Sequence, residues 1–326
     1  MAEAGSNSDD SKEIEKSTSH EKTNTECEEA MRKFIEITET NEACAHFFLQ
    51  DFNWELKATD DITDSVTLKT THNSDPNTPV RNFVLSVMSW NIDGIDDKNL
   101  SSRFIAICYT ISNTAPDVVF LQEMTSNLVT QIKKNLGGEY SILVASPDQP
   151  YFTVVLLKPF INLVYHKVIP YPTTNMGRAM QLVEASISGH RVILLNTHLE
   201  STKNAFEARI SQINTCFKEL QQLDDGRTVM IFGGDLNIRD AEMPTLPSGF
   251  SDAWIEAGSN KTYKFTWDTL LNDNKFSGSA RHRFDRIIFK SGGAFSNVNF
   301  SFEGQRRIRS SLCFPSDHWA ILTHFY

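Results

Sequence analysis

With 326 residues, 40% of them hydrophobic and 22% charged, the chain has the make-up of a globular protein with room for one large domain and a smaller one. A net charge of −10 argues against coating long duplexes through the whole surface, because phosphate binding needs cations, but leaves a local basic groove open. Five scattered cysteines (Cys27, Cys44, Cys108, Cys216 and Cys313), without CxxC spacing, indicate neither a disulfide framework nor a zinc site and fit a reducing compartment.

Residues 1–25 are polar and acidic, and read as a disordered tail rather than a signal peptide. Residues 26–66 hold three short amphipathic pieces, "CEEAMRKFIEITET", "NEACAHFFLQDF" and "NWELKATDDIT", with Asn41 and Asn53 where N-caps belong. They predict a small three-helix domain. Residues 67–82 have linker composition, and no apolar run along the chain is long enough to span a bilayer.

From residue 83 onward the pattern changes. Strand-like runs recur: "VLSVMSW", "DVVFLQ", "SILVA", "FTVVLLK", "AMQLVEASI", "RVILLNT", "TVMIFGG", "DRIIFK" and "WAILTHF". Helical pieces such as "SSRFIAICYTISNT", "SNLVTQIKKNL" and "FEARISQINTCFKELQQL" lie between some of them. Several strands are apolar throughout, which predicts an α/β fold whose sheets are covered on both faces. The basic clusters "SARHRFDR" and "GQRRIRS" mark where a nucleic-acid groove could lie.

Polar residues recur where these strands begin or end: Asn91 and Asp93, Glu123, Asn196 and His198, Asp235 and Asn237, Asp285, and Asp317 with His318. Each has a plainer reading by itself. Asp93-Gly94 makes a turn, Glu123 a solvated strand end, Gly233-Gly234-Asp235 a flexible corner, and Asp317-His318 a polar loop pair. Turn chemistry does not call for the whole set, however. If the sheets bring these ends to one rim, the result is a cluster of oxygen ligands with two imidazoles. Such ligands suit Mg²⁺ or Mn²⁺, and a single Glu such as Glu123 is typical of a Mg²⁺ site. Asp235 beside Asn237 suits activation of water, and a histidine held by a carboxylate suits a phosphoryl oxygen. The pattern predicts metal-assisted hydrolysis of a phosphate ester.

In the order "WNIDG", "LQE", "NTHLES", "GGDLNIRD", "RFDR" and "SDHWAI", the chain resembles the endonuclease/exonuclease/phosphatase superfamily over residues 83–326. "MGR", "YFTVVLLK", "YKFTWDT" and "FPSDHW" narrow the resemblance to its 5′-tyrosyl-DNA phosphodiesterase branch, and "EACAHFFLQDFNWELKATDDI" is similar to the ubiquitin-associated domain that precedes it there. The resemblance implies a four-layer α/β sandwich, two packed mixed sheets flanked by helices, with the site at one edge. It implies that Glu123 ligates Mg²⁺, with Asp93, Asp317 and Asn91 supporting the metal and phosphate. Asp235 would activate water with help from Asn237, while His198 and His318, the latter oriented by Asp285, would hold the phosphate. Tyr151 and Arg178 would flank the tyrosyl group, Trp267 and Phe284 would lie along the DNA end, and Ser201 and Arg239 would contact substrate. Leu236, where the family often has a small polar residue, is expected to affect mostly packing.

The expected substrate is a DNA 5′ end carrying a tyrosyl or trapped-topoisomerase adduct, hydrolysed to a 5′-phosphate in DNA break repair. Ubiquitin is expected as a partner of residues 26–66. A monomer is expected, nuclear and also cytoplasmic, with no membrane association. The competing readings are an abasic endonuclease, an inositol or lipid phosphatase, or a ubiquitin-binding adaptor with an inactive nuclease-like domain.

Overall fold

The strands alternate their apolar side chains between two cores, and this period of two builds the architecture. In the computed structural model, which describes residues 23–38 and 83–326, the chain divides into two units, Met1–His72 and Asn73–Tyr326. In the first unit, helix α1 (Asn24–Thr38) starts inside the segment expected as tail. A capping box explains the early start: the Glu26 carboxylate accepts from Thr23 N and Oγ1, both at 2.8 Å, and Glu26 N donates to Thr23 Oγ1. The two further helices expected up to residue 66, their N-caps Asn41 and Asn53, and the linker 67–82 lie outside the described residues.

The second unit has two six-stranded sheets. One holds β1 (Leu85–Asn91), β2 (Val118–Met124), β3 (Ser141–Val144), β4 (Phe152–Leu157), β13 (Val298–Glu303) and β14 (Ala320–Phe325), in the order β13-β14-β1-β2-β4-β3. The other holds β5 (Asn162–Pro170), β6 (Ala179–Ile187), β7 (His190–His198), β8 (Val229–Asp235), β9 (Ser251–Asp252) and β12 (Asp285–Lys290), in the order β5-β6-β7-β8-β12-β9. A small ribbon pairs β10 (Trp267–Asp268) with β11 (Arg281–His282).

Val87, Val118, Phe120 and Val155 of one sheet meet Val192, Leu194, Ile231 and Ile287 of the other in the central core. The alternate residues Met88, Val119, Leu121 and Val154 face outward against α2 (Leu100–Thr114) and α3 (Ser126–Leu136). On the far side Ile193, Leu195, Met230 and Phe232 pack on α4 (Phe206–Gln222). The layers are therefore helix, sheet, sheet, helix, and the continuous apolar strands are covered on both faces as expected. All nine predicted runs form strands. Edge strands β5 and β13 escaped the sequence reading because β5 is largely exposed and neither has a continuous apolar run.

Strand direction positions the site. The parallel pairs β1–β2 and β7–β8 end on one rim, while β14 and β12, antiparallel to β1 and β8, begin there.

Candidate active site

Register sets the residues facing one another on this rim. Asp235 is paired with His198 on β7 and with Asp285 on β12, and Asn91 with Gln122 on β2. Two bonds cross between the sheets here: the Asn91 carboxamide Nδ2 donates to Asp235 Oδ2 at 3.0 Å, besides Glu123 Oε1 at 3.1 Å in its own sheet, and His318 Nδ1 meets Asp285 Oδ2 at 2.8 Å. Asn91 Oδ1 accepts from Asp93 N at 3.0 Å, which turns the Asp93 loop back over the strand end.

Glu123 sits at a register shift between β2 and β4, with a left-handed φ of 58°. A bulge of this kind re-aims one side chain out of the sheet, and here it turns Glu123 toward Asn91. Asp93 is also left-handed, at φ 52°, and almost wholly buried. Gly234 adopts a φ of 133° and is pressed onto β7, where a Cβ would fall 1.8 Å from the Thr197 carbonyl oxygen. Only glycine permits that approach, which holds Asp235 beside His198.

Asp235 is 2% exposed and receives hydrogen bonds from Asn91 and from Asn237 N, the latter at 3.0 Å. His198 Nε2 lies 3.3 Å away, and His318 Nε2 lies 3.9 Å away. Burial disfavours its charge, but His198, His318 and Asn91 outweigh that and hold the carboxyl well below the usual range. His198 Nδ1 faces the Arg178 guanidinium at 2.7 Å. A guanidinium can only donate, so Nδ1 accepts and Nε2 carries the proton toward Asp235.

Burial also works against a charged His318, yet Asp285, Asp317 and Asp235 raise it well above an ordinary histidine. Burial and the Asp235 charge push Asp285 up. The His318 backbone is fixed at both ends: its N donates to Ser316 Oγ at 3.1 Å, and its carbonyl accepts from Trp90 Nε1 at 3.0 Å.

Two groups of residues could hold a metal. Asp235, Asp285 and His318 have ligand atoms within 4.8 Å of one another. Within this group His318 Nδ1 meets Asp285 Oδ2 and Asp235 accepts from Asn91 and Asn237, while the buried Asp285 Oδ1 has no hydrogen-bond partner. The second gathers around a cation: the Lys275 ammonium lies 2.5 Å from Asp93 Oδ1 and 3.7 Å from Asp317 Oδ2, and the Glu123 charge also acts on it. Burial and the Asp317 charge push Asp93 up to about 7, against Lys275 and Arg103. Carboxylates crowded in this way, with an ammonium drawn between them, fit a hard divalent cation.

Beside this rim, the Arg178 guanidinium stacks 4.8 Å above the Tyr151 ring, and both residues line a recess with Ala145, Thr153 and His198. On the other flank Trp267 donates to Asp317 Oδ2 at 3.3 Å and stands 5.8 Å from Phe284. Trp267 also stacks on His282 at 5.9 Å, with Phe276 edge-on at 6.2 Å. Ser201 Oγ contacts Met176 Sδ, and Arg239 pairs with Glu242 at 3.1 Å. Leu236 is fully buried in the core under α4, as expected. Asn196 lies below the rim, joining the sheets by accepting from Gln122 Nε2 at 2.8 Å.

The arginines of the first basic cluster, and Arg307 of the second, are engaged by carboxylates. Arg281 pairs with Asp268, Arg283 with Asp252 and Asp240, Arg286 with the same two carboxylates, and Arg307 with Asp273. Sequence reasoning missed Arg103, which donates to the backbone carbonyls of Lys98, Ile92, Pro315, Asp93 and Asp96. Its spacing from Ile107 and Ile111 put it on the buried face of α2, a signal that could have found it. It missed Lys275, Phe276 and His282 as well.

The Endonuclease/Exonuclease/phosphatase family matches residues 88–318 of the chain. A 5′-tyrosyl-DNA phosphodiesterase of Caenorhabditis briggsae is 41% identical over 318 residues, 91% of this chain and 90% of its own. Tyrosyl-DNA phosphodiesterase 2 of Homo sapiens is 33% identical over 271 residues, 81% of this chain and 74% of its own. The crystal structure of TDP2 from C. elegans is similar at a TM-score of 0.73 and 37% identity, covering 98% of this chain and 99% of that one. That of D. rerio TDP2 complexed with single strand DNA product has a TM-score of 0.71 and 33% identity, covering 74% of this chain and 99% of its own.

Proposed function

Because the chain belongs to the endonuclease/exonuclease/phosphatase family, and within it to the 5′-tyrosyl-DNA phosphodiesterases, we propose that it hydrolyses the bond between a DNA 5′-phosphate and a tyrosine, such as one left by a trapped topoisomerase, releasing a 5′-phosphate for break repair. The observation that carries this reading is the convergence of Asn91, Glu123, His198, Asp235, Asp285 and His318 on one rim, with an arginine–tyrosine recess on one flank and an aromatic cluster on the other.

Hydrolysis in this family depends on a divalent cation. We assign Mg²⁺, with Mn²⁺ as a substitute, to Glu123, Asp93 and Asp317, where it would neutralise charge on the phosphate. Asp235 orients the attacking water and takes its proton as the new P–O bond forms. Its lowered pKa makes it a weak base, so position counts for more than basicity. Asn237 and Asn91 fix that carboxylate. The His318 imidazolium, braced by Asp285, and His198 donate to phosphoryl oxygens and stabilise the charge that builds there. The leaving group departs as a phenolate. A phenol's pKa of about 10 makes strong acid assistance unnecessary. Tyr151 and Arg178 hold the tyrosine, while Trp267 and Phe284, with Ser201 and Arg239 nearby, support the unpaired strand.

The N-terminal resemblance supports ubiquitin as a partner of residues 26–66, and the repair substrate supports a monomer working in the nucleus and also in the cytoplasm. The deciding experiment compares Mg²⁺-dependent turnover of a 5′-tyrosyl oligonucleotide, an abasic duplex and an inositol polyphosphate. Preference for the first is expected, and preference for either of the others overturns the substrate.

A further inference from the structure

Lys275 lies on the β10–β11 connection, immediately after Asn274. Asn274 is clamped to Phe314 in both directions: its Nδ2 donates to the Phe314 carbonyl at 2.9 Å, and its Oδ1 accepts from Phe314 N at 2.8 Å. Asn272 is likewise pinned to the Ser316 carbonyl at 2.9 Å. The backbone before Lys275 is thus anchored, and its four-carbon side chain reaches inward from a fixed point. Its ion-pair partners among the described residues are Asp93 and Asp317. The Lys275 side chain is 31% exposed, so it can swing to solvent without unseating the loop, whereas Asp93, at 1%, cannot leave.

Arg103 is the other cation near Asp93, 3.6 Å from Oδ2, but its guanidinium is spent on backbone carbonyls and stays in place. Lys275 is therefore the one movable positive charge at these carboxylates among the described residues.

We propose that Lys275 is a built-in counter-cation: its ammonium satisfies Asp93 and Asp317 in the metal-free protein, and a divalent ion binds only by displacing it. Lys275 thereby sets the metal concentration the protein needs. The inference rests on the assignment of the metal to Glu123, Asp93 and Asp317. Two adjacent carboxylates left without a counter-charge repel each other, so the ammonium stabilises the metal-free state. Every favourable contact it makes there must be given up when the ion binds, which weakens apparent affinity. A dication answers a site of three carboxylates better than one ammonium does, and that difference drives the exchange.

The test is calorimetric titration of Mn²⁺ and of Ca²⁺ into the full chain, without substrate, for the parent, Lys275→Met, Lys275→Arg and Glu123→Gln, with melting temperatures taken with and without metal. Lys275→Met should bind either ion about tenfold more tightly, the order of effect expected for removing one competing charge at short range. It should also melt lower than the parent without metal and gain more from metal. Lys275→Arg, which keeps the charge, should stay near the parent in affinity. Weaker binding in Glu123→Gln together with unchanged or weaker binding in Lys275→Met overturns the role of Lys275 alone. Unchanged binding in Glu123→Gln overturns the metal assignment beneath it.

Discussion

Gly94 is pressed against Glu123: a Cβ on Gly94 would lie 2.2 Å from the Glu123 carbonyl oxygen and 2.8 Å from Leu128 Cδ1. The Asp-Gly pair that ends the first strand is therefore a packing requirement as well as a turn. It brings the loop carrying Asp93 onto the bulge that aims Glu123. Gly94→Ala should cost about 1–3 kcal/mol through overpacking. It should also raise the divalent-ion requirement, because Glu123 must shift to relieve the contact. Urea denaturation and a metal titration of turnover check the two effects, and a stable variant with a parental metal requirement contradicts the account.

Glu123→Gln and Asp235→Asn should fail differently. Loss of the Glu123 charge weakens metal binding, so turnover falls and excess Mg²⁺ partly restores it. Loss of the Asp235 charge removes the proton acceptor, for a drop of about 10²–10⁴-fold that excess metal does not repair. Single-turnover rates across a Mg²⁺ titration separate the two, and equal rescue of both variants would mean the roles are misassigned.

Trp267 stands between Asp317 and the aromatic cluster of His282, Phe284 and Phe276. Trp267→Ala should weaken binding of a single-stranded 5′ end by about 1–3 kcal/mol if a base stacks there. Fluorescence anisotropy with a labelled oligonucleotide measures this. Unchanged affinity with a large fall in melting temperature would make Trp267 a packing residue instead.

Behind the rim, Asp240 receives Arg286 at 2.8 Å and Arg283 at 3.2 Å. Burial works against its charge, but the two guanidinium groups prevail and lower it to about 2. A carboxylate with a depressed folded pKa adds stability above its unfolded value near 3.9, and that stability is lost as pH falls toward 2. Asp240→Asn should therefore be less stable than the parent at pH 7, with the gap closing between pH 4 and pH 2. Urea midpoints over that range test the sign, and a gap that widens on acidification is the contrary result.

The central strands were legible because both their faces are buried, so an unbroken apolar run could end only at a turn or a site. Asn91, Glu123, His198, Asp235 and Asp285 each stand at such an end, which made the site visible as a list of termini. Their spatial order was not visible: Asn91 meets Asp235 across 144 residues, and nothing local encodes that. Charge was the least legible quantity. The arginines of "SARHRFDR" looked like a nucleic-acid face and turned out to be engaged by Asp240, Asp252 and Asp268, because composition counts charges without pairing them. Lys275 was hidden for the opposite reason, as a single lysine in a polar loop whose partners come from two distant strand ends.

The bonds from Asn91 to Asp235 and from His318 to Asp285 each join one sheet to the other. Neither sheet alone holds the whole cluster, so the site is a property of their docking. A fluctuation that slides one sheet over the other by an ångström would silence the chemistry while leaving every ladder hydrogen bond intact. During folding, the same geometry makes activity among the last features to appear, because these residues meet only once both sheets are formed and docked. A chain caught midway would hold its strands yet leave the tyrosyl adduct on its DNA end.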